Sequence, residues 1–536
     1  MTSPTAEPAT RQESQLEPDC RTWHGIPVRF LAAAAVTPAL IQTGINSTVT
    51  DLARPFLVSE LASDRYRYQW VTGATLLGAV AGMSLIGWMR ARFGLKRAWI
   101  TGLVIYTIGS LACATTPNSE FLVLARFVQS WGNGMAVATV QAILWREFPR
   151  HRDAALSLYV LGLYFGRIFA PSLSAWLISN FPSWRSIFLW EVPFESFAIV
   201  FTSKLLQPDK PGQEQPRPFD FPGFVLLLFL VTCLMLALFR FQKWGWQTSS
   251  GFWLVAGLGV LALTAFLVRE LTVPEPLLDL RLFAVPRFAL CVSIKAIFDT
   301  NFLVIVPLLT VYLAVTRDYM RSTAGLVFLP AVAAMGTSLA LGARYGHRAN
   351  RKIRLIFGLA TMAAGSWLLS GLDLFTDKRW TAAAVAILGF GAGMVASPVV
   401  CIPLEGLDQQ QVASSASIKN LFRVLPSFVG SGLISILIER RTDARFDSMR
   451  QLLTPNRPPT LDVYRGLVDY FTLHGFSPGD AAAQARGVIS QFLRDNATVY
   501  ADEAAFQYLA ILAAVGAALA CLLRAISPDA PGPKRG

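Results

Sequence analysis

Apolar stretches of about 20 residues recur from one end of the chain to the other, each long enough to cross a hydrocarbon core of about 30 Å. Fourteen of them begin near residues 29, 67, 98, 121, 155, 185, 221, 251, 288, 322, 355, 380, 412 and 505. Inside lipid a segment has to satisfy its own backbone hydrogen bonds, so each stretch reads as a helix. With 53% hydrophobic and only 15% charged residues over 536 positions, the composition excludes an ordinary soluble protein of this length. The expected fold class is an all-α polytopic membrane protein with 14 transmembrane helices.

Residues 1–28 are polar and mixed in charge, without the order or cleavage site of a signal peptide, so the first span is expected to stay in the mature protein. The six cysteines form no CxxC and no His/Cys cluster, so no disulfide framework, metal site or cofactor is expected. The net charge of +13 is unevenly placed. Its densest sites, Arg90/Arg92/Lys96/Arg97 and Arg344/Arg348/Arg351/Lys352/Arg354, fall in loops on the same side of the membrane. The positive-inside rule makes that side and both termini cytoplasmic. The basic excess therefore reports topology, and a nucleic-acid partner is not expected.

The spans group into blocks. A cytoplasmic tail (1–28) leads into a six-helix N-terminal bundle (29–206), followed by a linker and two inserted helices (207–270). Residues 271–439 supply five helices of a second bundle, 440–504 a long periplasmic loop, 505–525 the last span and 526–536 a cytoplasmic tail. "GWMRARFGLKR" (87–97) and "GARYGHR" (342–348) stand at matching places in the two blocks, an echo suited to a transporter built from repeated halves. Within the long loop, Ser477 and Asp480 give a helix-cap signal before a long helical pattern. That loop reads either as a polar cap over the mouth of the protein or as a docking surface for a periplasmic partner.

Several strings then resemble one family. "GWMRARFG", with Gly87, Arg92, Gly94, Lys96 and Arg97, is similar to the loop motif between helices two and three of the major facilitator superfamily. "RFVQSWGNG" from Arg126 resembles its helix-four motif, and "GRIFAPSLSA", with Gly166 and Pro171, resembles the antiporter motif of helix five. Arg344 and Gly346 belong to the second-half echo of the loop motif. With "WRSIFLWEVP", "PLLDLRLF", "STAGLVFLP" and "NLFRVLPSFVG", the chain is identified as resembling the fourteen-helix drug:proton antiporters of EmrB/QacA type, closer to EmrB. The resemblance implies two six-helix bundles plus two additional helices in the inner membrane. It also implies a small-molecule substrate, protons and, on the EmrB side, a periplasmic membrane-fusion protein with an outer-membrane channel.

Departures from the family pattern cluster where coupling is expected. The acid usual before the loop arginine is Ala91, and the helix-five glycines are replaced around Ala170 and Ser174. In helix one the family acid is Asn46, and an acid appears five residues later at Asp51. Charges embedded in spans are costly and face a cavity or a partner. Arg126 enters helix four about 9 Å deep at 1.5 Å per residue, which permits either snorkelling or cavity lining. Gln129 and Gln141 continue a polar stripe beside it, favouring the cavity. Lys295 and Asp299 are four apart and can neutralise each other, while Lys419 and Arg423 share a face of helix thirteen. Glu191 reads as interfacial, and Glu195 as the deeper acid and the better candidate to take up a proton. Asp51 is the first candidate for the coupling acid, with Glu195 and Asp299 as substitutes.

The expected function is proton-coupled efflux of amphipathic small molecules by alternating access. Two rivals stand beside it: a facilitator or symporter of one metabolite, and a non-transporting receptor or scaffold built around the long loop. An enzyme is not expected, since no HExxH, GxSxG or phosphate-binding loop is present.

Overall fold

The computed structural model describes residues 22–23, 26–61, 65–148, 152–181, 183–206, 218–244, 250–317, 327–345, 350–373, 376–404, 409–452 and 458–523. A two-residue antiparallel ribbon, Thr22–Trp23 with Ile26–Pro27, precedes the helices. The first six are α1 (Val28–Glu60), α2 (Arg65–Phe93), α3 (Leu95–Ala114), α4 (Ser119–Glu147), α5 (Arg152–Asn180) and α6 (Ser186–Leu205). Two more, α7 (Phe221–Trp244) and α8 (Ser250–Thr272), pack on each other. The second half contains α9 (Pro286–Arg317), α10 (Leu329–Tyr345), α11 (Arg351–Leu369), α12 (Lys378–Cys401) and α13 (Gln409–Leu452). A short α14 (Pro458–Leu473) leads to α15 (Pro478–Cys521).

Eleven described helices are long and apolar enough to cross a membrane, and α1 and α10 carry shorter apolar runs, Phe30–Asn46 and Leu329–Gly342. α4 completes the 14 expected spans. It falls short on hydropathy because Arg126, Gln129, Ser130, Asn133 and Gln141 interrupt its apolar residues. Such a sequence is tolerated where neighbours shield it from lipid, and α4 packs closely against α2 and α3. Glycines make that approach possible. A Cβ at Gly78 or Gly82 of α2 would strike the α4 carbonyl oxygens of Phe127 or Trp131. Small residues at helix crossings are how membrane helices gain van der Waals contact without a hydrophobic driving force.

The two halves repeat one pairing scheme. In the first, α1 packs on α5, α2 on α4, α3 on α4 and α3 on α6. In the second, α9 packs on α13, α10 on α12, α11 on α12 and α11 on α15. A side-chain device repeats with it. Lys96, second residue of α3, donates to the Ser203 carbonyl near the end of α6 at 2.6 Å. Lys352, second residue of α11, donates to the Cys521 carbonyl at the end of α15 at 2.8 Å. Final-turn carbonyls lack intrahelical partners and carry the negative end of the helix dipole, so a lysine is a natural clasp there.

Between the halves, α5 meets α10 and α12, and α2 and α4 meet α13. The largest core cluster runs through both halves, but its first-half members all lie toward the basic-loop ends: 32–40 of α1, 95–103 of α3, 136–144 of α4, 155–168 of α5, and Ala198 and Leu206 in and just after α6. The other end of the first half, with Ile45, Leu57, Val71, Leu122, Leu173 and Phe188, packs as a cluster of its own. The halves are thus joined on the side of the basic loops, and the first half closes on itself away from it.

α13 and α15 are each 44 residues long, so helix continues well past the lengths a bilayer needs. Ser477 caps α15, its hydroxyl accepting from the Asp480 amide at 3.3 Å.

Candidate functional site

Four helices converge on Glu191, which the sequence reading placed at the interface and which the structure buries completely. α6 breaks locally at Trp190, and Glu191 follows in the first turn of its longer segment, facing α1 and α3. Its carboxylate accepts from Asn46 Nδ2 of α1 at 2.7 Å, and from Tyr106 and Ser110 of α3 at 2.9 Å each. Gln129 Nε2 of α4 adds a fourth bond at 2.7 Å.

Arg126 stands behind these donors. It is 2% exposed, so its side chain does not reach out to solvent in this structure. One guanidinium nitrogen donates to Gln129 Oε1 at 2.6 Å and to Asn46 Oδ1 at 3.2 Å. The cation also lies 5.7 Å from the centre of the Phe188 ring. Asn46 and Gln129 each accept from Arg126 and donate to Glu191, so the two charges are linked through paired amides. An amide can play both parts where an aspartate at position 46 could only accept. Asn46, at the position where the resemblance implies an acid, thus bridges Arg126 to the carboxylate on α6. Thr43 pins the same stretch of α1 to α4, donating to Asn133 Oδ1 at 3.0 Å.

One turn further along α6, Glu195 is 2% exposed, and its Oε2 finds no hydrogen-bond partner. Glu191, Glu195, Ala198 and Thr202 are the buried residues of this segment. Thr202 accepts from Trp99 Nε1 at 3.1 Å. The acidic face therefore leads toward the Lys96 clasp and the basic loops.

The remaining expected residues divide. Gln141 is buried nearer the basic-loop end and takes no part in the Arg126 network. The side chain of Asp51 and the whole of Gly346 lie outside the described residues. Lys295 and Asp299 form the expected i,i+4 pair at 2.6 Å, away from Arg126, and Asp299 also accepts from Tyr164 of α5. In the loop motif, Gly94 adopts φ 85° before α3, a left-handed conformation suited to glycine. Gly87 meets no neighbour that a Cβ would touch. Arg92, Arg97 and Arg344 are exposed. Gly166 lets α5 approach α1, since a Cβ there would strike the Ile41 carbonyl oxygen; Pro171 lies within α5.

Sequence reasoning passed over Tyr106 and Ser110 and discounted Glu191. Tyr106 and Ser110 sit four apart in the outer half of α3, a spacing that places two hydroxyls on one face. That was the available signal.

The model of the Major Facilitator Superfamily matches residues 36–431. The chain belongs to that superfamily. Multidrug export protein EmrB of Haemophilus influenzae is 24% identical over 443 residues, covering 81% of this chain and 85% of its own length. Multidrug transporter protein MdtP of Bacillus subtilis is 24% identical over 470 residues, covering 86% and 82%. Among solved structures, a bacterial homolog of the human lysosomal transporter Spinster, inward-facing and unoccupied, has a TM-score of 0.54 at 16% identity, covering 92% of this chain and 97% of that one. The protein is therefore a multi-pass membrane transporter and not an enzyme, and the expected fold class is the one observed.

Proposed function

We propose that the protein exports amphipathic small molecules in exchange for protons, by rocking its two halves about a site at mid-membrane. The observation that carries this reading is the buried Glu191–Asn46/Gln129–Arg126 network. Proton coupling requires a carboxyl group that is charged in one conformation and neutral in another. Glu191 has four donors and a cation waiting for its charged form. A proton arriving from outside weakens all four bonds and frees Arg126 to reorient. Glu195, with an unused oxygen one turn inward, is the next acceptor along α6.

On this reading the basic loops face the cytoplasm, so both termini are cytoplasmic in the inner membrane and the closed side is the inner one. The conformation is then outward-facing. The helices beyond the membrane expose Val463, Tyr470, Leu473, Phe476 and Phe492, an apolar set suited to a membrane-fusion partner. EmrB-type permeases, which the sequence resembles, imply such a partner.

The test is uptake of a panel of lipophilic drugs into everted vesicles energised by a proton gradient. Arg126→Lys replaces a planar five-donor fork with a point charge and should strongly reduce gradient-driven transport at matched expression. Full activity in that variant rejects the coupling role of the network.

A further inference from the structure

A second buried polar cluster lies between the halves and takes no part in the network around Arg126. α9 contributes Lys295 and Asp299, α13 contributes Lys419, Asn420 and Arg423, and α5 contributes Tyr159 and Tyr164. Asp299 is fully buried and already occupied by Lys295 and by the Tyr164 hydroxyl. Tyr159 donates to Asn420 Oδ1 at 3.4 Å. Arg423 stands within electrostatic range of Tyr159, Tyr164 and Lys295, and Lys419 within range of Lys295.

The charges do not balance. Among the described residues, Lys295, Lys419 and Arg423 share one carboxylate, which Lys295 already takes, and Arg167 of α5 adds a further cation within range of Tyr164. Lys419 is 1% exposed and makes no hydrogen bond or ion pair among the described residues. Arg423 makes none either, and its Nε is buried without an acceptor. Asn420, also 1% exposed, has an orphaned Nδ2. The unsatisfied groups on this stretch of α13 are all donors. Buried charges are normally paired, and unsatisfied donors can be met only by an acceptor that enters. Apolar rings lie alongside: Phe298 and Phe302, each 1% exposed, share the face of α9 with Lys295 and Asp299 and pack on Tyr164 of the other half, ring centres 5.5 and 4.5 Å apart.

We propose that this cluster is the substrate site and that its substrates are organic anions. The carboxylate or sulfonate of an amphipathic acid is held by Lys419, Asn420 and Arg423, and its apolar body lies along the Phe298/Phe302 face of α9. The tyrosines come from one half and the cations from the other, so the site opens and closes as the halves rock. This inference rests on the export reading and narrows its substrate class.

Three probes with one ring system test it: 1-naphthoate, the neutral 1-naphthamide and the cationic 1-naphthylmethylammonium. Binding to the purified full-length protein is measured by calorimetry, and gradient-driven transport in proteoliposomes. Naphthoate should bind about tenfold or more tightly than the amide, the change expected from one charge-assisted bond. Lys419→Gln and Arg423→Gln should erase that preference, and Lys419→Arg should keep it. Equal binding of all three probes by the unmodified protein, a preference for the ammonium, or no binding of naphthoate overturns the proposal without any variant having to fold. If naphthoate binds through Lys419 but is not pumped, the site stands and the export reading fails. If drugs are pumped without any preference for the anion, the export reading stands and this inference fails.

Discussion

Glu191→Gln tests the coupling network most directly, because it removes one charge while keeping the side chain's size. Glu191 accepts from Asn46, Tyr106, Ser110 and Gln129. A bond to a charged acceptor contributes about 1.5–3 kcal/mol and a neutral one about 0.5–1.5, so each donor loses about 1 kcal/mol. The amide nitrogen must also face at least one donor. Oε2 receives three bonds and Oε1 receives the one from Asn46, so the nitrogen will turn toward Asn46, adding about 1 kcal/mol or more. In all, the outward-facing conformation should lose about 5 kcal/mol relative to one in which the network is already broken. That is between about three and four orders of magnitude in population. Proteoliposomes bearing the variant should lose gradient-driven accumulation and keep substrate counterflow, which needs no proton. Spin labels at Phe181 and Leu329, exposed at the outer ends of α5 and α10, should report a shift to shorter distances. If the variant still pumps uphill at the unmodified rate, or the distances do not move, the reasoning is refuted.

Asn46→Asp places an acid where the resemblance implies one, yet it sets a second carboxylate against Glu191 and removes a donor, so it should impair transport about 5- to 150-fold, by about 1–3 kcal/mol. The exchange Asn46→Asp with Glu191→Gln should recover part of that loss in a double-mutant cycle, and strict additivity would show that the two residues are not coupled. Asp51→Asn should leave gradient-driven efflux intact, because Glu191 supplies the network's carboxylate; loss of pumping with binding preserved would return the coupling role to Asp51. Lys96→Met and Lys352→Met each remove a lysine clasp on a final-turn carbonyl and should lower thermal stability in detergent by similar small amounts, about 0.3–1 kcal/mol each. A large effect from only one of them would show that the two clasps are not equivalent.

Much of this architecture is legible in the sequence. The recurring apolar stretches require helices because lipid offers the backbone no partner, and the spans were countable on that basis. α4, the one whose hydropathy falls short, was counted with them from near residue 121, and its Arg126 motif resembles the family's helix four. The loop echo at 87–97 and 342–348 pointed to repeated halves, and Lys96 and Lys352 make the same clasp in each. The i,i+4 spacing of Lys295 and Asp299 fixed their pairing, because contacts along a single helix follow from periodicity.

What the sequence could not supply was the partner of Arg126. Glu191 lies 65 residues further on, and its other donors come from α1 and α3. Nothing in local spacing says which helix crosses which, or at what height. Glu191 looked interfacial because it lies near the outer end of its span, and only the packing of α6 with α1, α3 and α4 places it under four donors. That Lys419 and Arg423 make no ion pair among the described residues is likewise a property of assembled helices. Helix formation is decided within a segment, by hydropathy and backbone hydrogen bonding. Charge pairing is decided between segments, by the depth and rotation at which close-packed helices meet, and those come only from the tertiary structure.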